Sequence, residues 1–93
     1  MKLGNPKFDV GTIVVTPAAA AVLSSNNTAL DDLLVRHQCG DWGDVSDAVR
    51  GVNESGLSDS FNLQSKYTMA DGRRLVVLTN RERTTTMVHL DAQ

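Results

Sequence analysis

The chain has 93 residues, with 9 Lys+Arg against 11 Asp+Glu, 2 His, 1 Cys, 41% hydrophobic residues and 4% aromatic ones. A fold of this length hides only about 60–65% of the surface its unfolded chain exposes, which gives one modest core and excludes an enzyme with separate catalytic and substrate domains. A single cysteine cannot form an internal disulfide, the His and Cys residues stand in no standard zinc spacing, and no apolar run reaches the roughly 18–20 residues of a membrane span.

One domain over 1–93 is therefore expected, without metal or cofactor. Met1 to Lys7 lacks the apolar stretch of a signal peptide, so the expected location is cytoplasmic, and residues 1–9 read as a loosely ordered lead-in. Gly11 to Thr16 is a β-branched run closed by Pro17 and predicts a short strand. Thr16-Pro17 then supplies a cap and a first helical turn for a helix over Ala18 to Leu23. Its four consecutive alanines predict a close-packed helix face.

A second helix is expected from Thr28 as cap, with Leu30, Leu33, Leu34 and His37 at i, i+3, i+4, i+7 on one buried face and Gly40 at or beyond its end. His37 lies at the C-terminal end, where an imidazole complements the helix dipole. Asp41 to Asp44 reads as a tight loop around the only tryptophan. Asp44 or Ser46 can cap a third helix near 46–55, held weakly by Val45, Val49 and Val52, and 56–62 reads as the longest flexible connection. Leu63 to Met69, Arg73 to Thr79 and Thr84 to Leu90 form a three-stranded meander, its first turn made at Asp71-Gly72. The expected class is α+β: a short N-terminal strand joining an antiparallel sheet at its edge, two to three helices, and helices on one face of the sheet.

Several residue groups could carry chemistry. His37, Cys39, Asp41 and Asp44 contain the atoms of a thiolate–imidazole pair or a metal site, but residues two apart on a helix point to different sides, and the spacing favours packing and capping roles. Asp41, Trp42 and Asp44 are the candidate partner-binding residues, with Trp42 either a plug that anchors the loop or an anchor for a partner. Lys66, Arg73, Arg74, Arg81 and Arg83 form the alternative, a nucleic-acid-binding set. Residues 1–64 carry 8 acids and 4 bases whereas 65–93 carry 5 bases and 3 acids. That asymmetry suits a polar contact face but falls short of the concentrated basic surface of a dedicated nucleic-acid binder.

The strings Gly11-Thr12-Ile13-Val14-Val15-Thr16-Pro17-Ala18-Ala19, Arg36-His37-Gln38-Cys39-Gly40-Asp41-Trp42-Gly43-Asp44, Tyr67…Asp71-Gly72 and Arg83-Thr84-Thr85-Thr86 resemble a group of small proteins of bacterial plasmids and integrative elements, often labelled type I restriction endonuclease subunit M or plasmid-related protein. Cys39 and Arg73-Arg74 are not fixed parts of that pattern. The methyltransferase label does not suit the residues, because the only prolines are Pro6 and Pro17 and no Asn/Asp-Pro-Pro-aromatic motif or Gly-rich cofactor turn exists. What the resemblance implies is residence on mobile DNA. The expected function is a non-enzymatic protein-binding module that inhibits or modulates a host defence nuclease complex, of anti-CRISPR or anti-restriction type. Its expected partner is a host or element-encoded protein complex, with no membrane, nucleic acid not favoured, and a homodimer left open.

Overall fold

The computed structural model describes residues 6–91. Among these, seven elements follow one another: β1 (Thr12–Val15), α1 (Pro17–Ser25), α2 (Leu30–Gln38), α3 (Asp47–Asp59), β2 (Leu63–Thr68), β3 (Arg74–Thr79) and β4 (Thr85–Leu90). The strands form one sheet in the order β1-β4-β3-β2. The fold is α+β, as the residue pattern predicts. The sheet, however, is mixed: β2, β3 and β4 are an antiparallel meander, whereas β1 runs parallel to β4, with Ile13 opposite Thr86 and Val15 opposite Val88. The crossover through three helices carries the chain to β2 at the opposite edge, and two antiparallel turns of the meander then lay β4 beside β1 in the parallel sense, which alternation of residue types in a four-residue strand does not report.

Period-two alternation sorts the sheet into two faces. Leu63, Ser65 and Tyr67 of β2, Leu75, Val77 and Thr79 of β3, and Thr86 and Val88 of β4 are buried against the helices. Ala19, Val22 and Leu23 of α1 and Leu33 of α2 close over Tyr67, Leu75, Val77 and Val88. A second cluster gathers Trp42, Val45 and Leu63 with half-buried Phe8, Val49 and Leu57. Three sequence expectations change here. Only Ala19 of the four alanines is buried, because a nine-residue helix lying on a sheet turns one stripe inward. Thr28 does not cap α2: its hydroxyl donates to the Asn26 carbonyl, and Ala29 holds the cap position without a side-chain bond. Finally, 56–59 is not a flexible connection but the last turn of α3, which runs to Asp59 and ends at Ser60 in the left-handed region.

The reason lies in packing. Gly56 is buried against the following segment, so close that an added Cβ would stand 3.0 Å from Leu63 Cδ2. Arg83 fastens the same turn, donating to the Gly56 carbonyl at 2.8 Å and to the Phe61 carbonyl at 2.7 Å. Of the lead-in, residues 1–5 lie outside the described ones, whereas the Lys7 amide donates to the Gln38 carbonyl and the Gln38 side chain donates to the Phe8 carbonyl. Among the described residues no helix is long and apolar enough to cross a membrane.

Candidate functional site

The Arg36 to Asp44 segment begins on the last turn of α2 and leaves it through a Schellman cap. Asp41 N–H donates to the Arg36 carbonyl and Gly40 N–H to the His37 carbonyl, with Gly40 at φ +85, the conformation glycine adopts without steric cost. The chain then runs beside the outer edge of β2. Lys66 N–H donates to the Trp42 carbonyl at 3.0 Å and Asp44 N–H donates to the Lys66 carbonyl at 2.7 Å. The loop thereby serves as a one-bridge extension of the sheet. Gly43, at φ +73, sits so close that a Cβ would fall 2.1 Å from the Lys66 carbonyl oxygen.

Around this bridge the Arg36, Asp41, Trp42 and Asp44 side chains each have an intramolecular partner. Trp42 is 1% exposed and donates its indole N–H to Glu54 Oε2 at 2.6 Å. Its ring stacks on Phe8 and meets His37 edge-on at 5.8 Å. Asp41 accepts from Arg36 Nε at 2.7 Å and from Gly43 N–H, so its carboxyl is held below the ordinary range chiefly by the Arg36 bond. Arg36 lies over the Tyr67 ring, and the Tyr67 hydroxyl donates to the Asp41 carbonyl at 2.7 Å. Burial pushes that phenol up to about 12. Asp44 accepts from Thr68 Oγ1 at 2.7 Å, leaving the cap of α3 to Ser46. Of the three candidate partner-binding residues, then, Asp41 and Asp44 are exposed and Trp42 is enclosed.

His37 departs from its expected role at the helix end. It is fully buried on the inner face of the sheet, with Nδ1 2.5 Å from Ser65 Oγ and Nε2 2.9 Å from Thr79 Oγ1. Thr79 Oγ1 lies 2.7 Å from Thr86 Oγ1, which in turn donates to the Val10 carbonyl at 2.7 Å. One hydroxyl carries one proton, which fixes the direction of the chain as far as the imidazole. Thr86 spends its proton on Val10, so Thr79 must donate to Thr86 and His37 Nε2–H must donate to Thr79. Burial lowers the pKa of the imidazole to about 4, and Arg83 adds repulsion. At neutral pH the ring is therefore neutral with its proton on Nε2, and Nδ1 accepts from Ser65. A hydroxyl aimed at an imidazole is the geometry of an activated nucleophile, but Ser65 and His37 are both 0% exposed. This network is a polar strut between α2 and three strands.

The basic set is dispersed. Arg73 and Arg74 stand at the β2–β3 hairpin beside a shallow polar depression of about 300 Å³, where Arg73 pairs with Asp71 at 2.6 Å. Arg81 and Arg83 follow the other end of β3, a strand length of roughly 16 Å away. Arg83 is spent on backbone carbonyls, and Lys66 lies 3.5 Å from Asp91. The residue pattern missed two contributors, Asn53 and Glu54. Both lie on α3, and neither differs in sequence from an ordinary solvated helix position. No group of three or more His, Cys, Asp or Glu among the described residues could hold a metal ion.

Among the described residues, the opposite face of the sheet carries no helix. Register places Val14, Met87 and Leu78 in one row across β1, β4 and β3, beside Val76 and His89 in the next. Val14 is 41% and Met87 40% exposed, Leu78 is half-buried and Val76 is buried. Compared with protein families, curated proteins and solved structures, the chain matches none.

Proposed function

We propose that the chain is a non-enzymatic protein-binding module. The observation that supports this reading is the helix-free sheet face, where Val14, Met87 and Leu78 form an apolar row rimmed by Lys66, Arg74 and His89. Exposed apolar rows with a polar rim are characteristic of protein contacts. The reactive-looking residues are committed internally: His37 and Ser65 to the buried strut, Trp42 to the core, Asp41 to Arg36. The dispersion of the arginines favours a protein partner over nucleic acid, which calls for a continuous basic track. The resemblance to plasmid and integrative-element proteins supplies the partner class, a host defence nuclease complex that the module inhibits or modulates in the cytoplasm.

The test is an affinity pull-down of tagged protein from nuclease-treated host lysate, read by mass spectrometry, with wild type beside Met87→Glu. A stoichiometric partner that survives nuclease treatment and is lost with Met87→Glu supports the reading. Partners that disappear with the nucleic acid would shift it to Lys66, Arg73, Arg74 and Arg81.

A further inference from the structure

The two edges of the sheet are treated differently. On β2 the outward-facing backbone groups of Gln64 are taken by the Asn53 side chain and those of Lys66 by Trp42 and Asp44. On β1 the donors directed at β4 belong to Thr12 and Thr16, which bond the Thr84 and Val88 carbonyls. Alternation then turns the N–H and C=O groups of Ile13 and Val15 away from the sheet, where no described residue bonds them.

Natural edge strands are blunted by shortness, charge, proline within the strand, bulges or a covering element. The strand Thr12-Ile13-Val14-Val15 is short but carries no charge and no proline, and the exposed surface of α1, which follows it, is Pro17, Ala18, Ala20, Ala21, Ser24 and Ser25, with no charge and no long side chain.

From this asymmetry we infer that β1 pairs with β1 of a second copy, antiparallel about a two-fold axis at Val14. The occupant follows from the register. The two bare residues lie symmetrically on either side of Val14, so Ile13 meets Val15 of the second copy, Val15 meets its Ile13, and every outward group on both strands finds a partner in one closed, isologous contact. Val14 then faces Val14 in the close, non-hydrogen-bonded position. The apolar row Val14–Met87–Leu78 becomes continuous across an eight-stranded sheet, covering the most exposed member of that row. A net charge of −2 per chain opposes the approach little. The paired surface stays well under the roughly 1,600 Å² of a standard stable interface, so the dimer is weak and concentration-dependent. This inference rests on the strand edge alone and holds whatever partner the sheet face binds.

The experiment is sedimentation equilibrium of the purified full chain, without lysate or partner, from micromolar to millimolar concentration, beside Val14→Lys. Val14 is exposed, so the variant keeps its fold, checked by circular dichroism, but sets two ammonium groups against each other at the axis. Wild type should pass from monomer toward dimer as concentration rises while Val14→Lys stays monomeric. Hydrogen exchange of wild type supplies a readout free of substitution: the Ile13 and Val15 amides should gain protection with concentration while the Gln64 amide does not change. A wild type that remains monomeric at millimolar concentration overturns the inference. So does a dimer that forms while Ile13 and Val15 exchange at an unchanged rate.

Discussion

Asn53 closes the outer edge of β2 by bonding both backbone groups of a single residue, Gln64: its Nδ2 donates to the Gln64 carbonyl at 2.7 Å, and its Oδ1 accepts the Gln64 N–H at 3.0 Å. A side-chain amide has the donor and acceptor of a peptide group, so one Asn on α3 imitates a neighbouring strand. It sits at 1% exposure, where water cannot replace it. Replacing it by Ala leaves a donor and an acceptor without partners and should cost about 1–3 kcal/mol in urea unfolding. Asn53→Asp keeps the acceptor but opposes a carboxylate to a carbonyl, so it should be no better than Ala. Equal stability of all three proteins would rule out the strand-mimic role.

Gly43 tests how rigidly the central loop is docked. Its φ of +73 and the 2.1 Å separation between a built Cβ and the Lys66 carbonyl oxygen make Gly43→Ala doubly unfavourable. The left-handed conformation alone costs an alanine about 1–2 kcal/mol, and the overlap forces the loop off β2 as well. The expected signature is lost exchange protection at the Lys66 and Asp44 amides together with a lower midpoint. By contrast, Gly51, which has nothing within 4 Å of its built Cβ, should accept alanine with a small gain in stability.

Trp42 fills the second cluster and bonds Glu54, so Trp42→Ala should cost about 3–5 kcal/mol and unfold much of the population of a domain this small. Trp42→Phe keeps most of the packing against Phe8 and His37 and loses the bond to Glu54, and should fall between. Thermal melts of the three proteins check the order. A folded Trp42→Ala protein with wild-type stability would make the residue dispensable to the core.

His37 makes stability depend on pH in a definite direction. Its folded pKa, about 4, lies below the ordinary 6.5. Between these values the unfolded chain takes up a proton that the folded one refuses. Stability is therefore fully present above pH 6.5, declines as pH falls toward 4, and receives no further loss from this group below that. The full difference amounts to roughly 3 kcal/mol. Chemical denaturation at successive pH values should show this decline, and His37→Gln, less stable at neutral pH, should show a smaller one. An identical slope in both proteins would assign the acid sensitivity elsewhere. At neutral pH, ¹⁵N spectra of the ring should report the Nε2–H tautomer that the Ser65-to-Val10 direction requires.

Local patterns reported much of this fold. β-Branched runs marked β1 and β4, the Asp71-Gly72 turn the β2–β3 hairpin, Thr16-Pro17 the start of α1, the Leu30/Leu33/Leu34/His37 spacing the buried stripe of α2, and Gly40 its end, because backbone sterics and burial periodicity act over a few residues. They also singled out Arg36 to Asp44 as unusual. Tertiary structure alone decided what those residues do. Whether Trp42 faces core or solvent depends on Phe8, Leu63 and Glu54, which lie far from it in sequence. The imidazole of His37 is buried only because Ser65, Thr79 and Thr86 arrive from three strands to bond one another and it. The parallel placement of β1, the strand mimicry of Asn53 and the bare edge at Ile13 and Val15 are relations between separated segments. A pattern of one residue type after another carries no term for them.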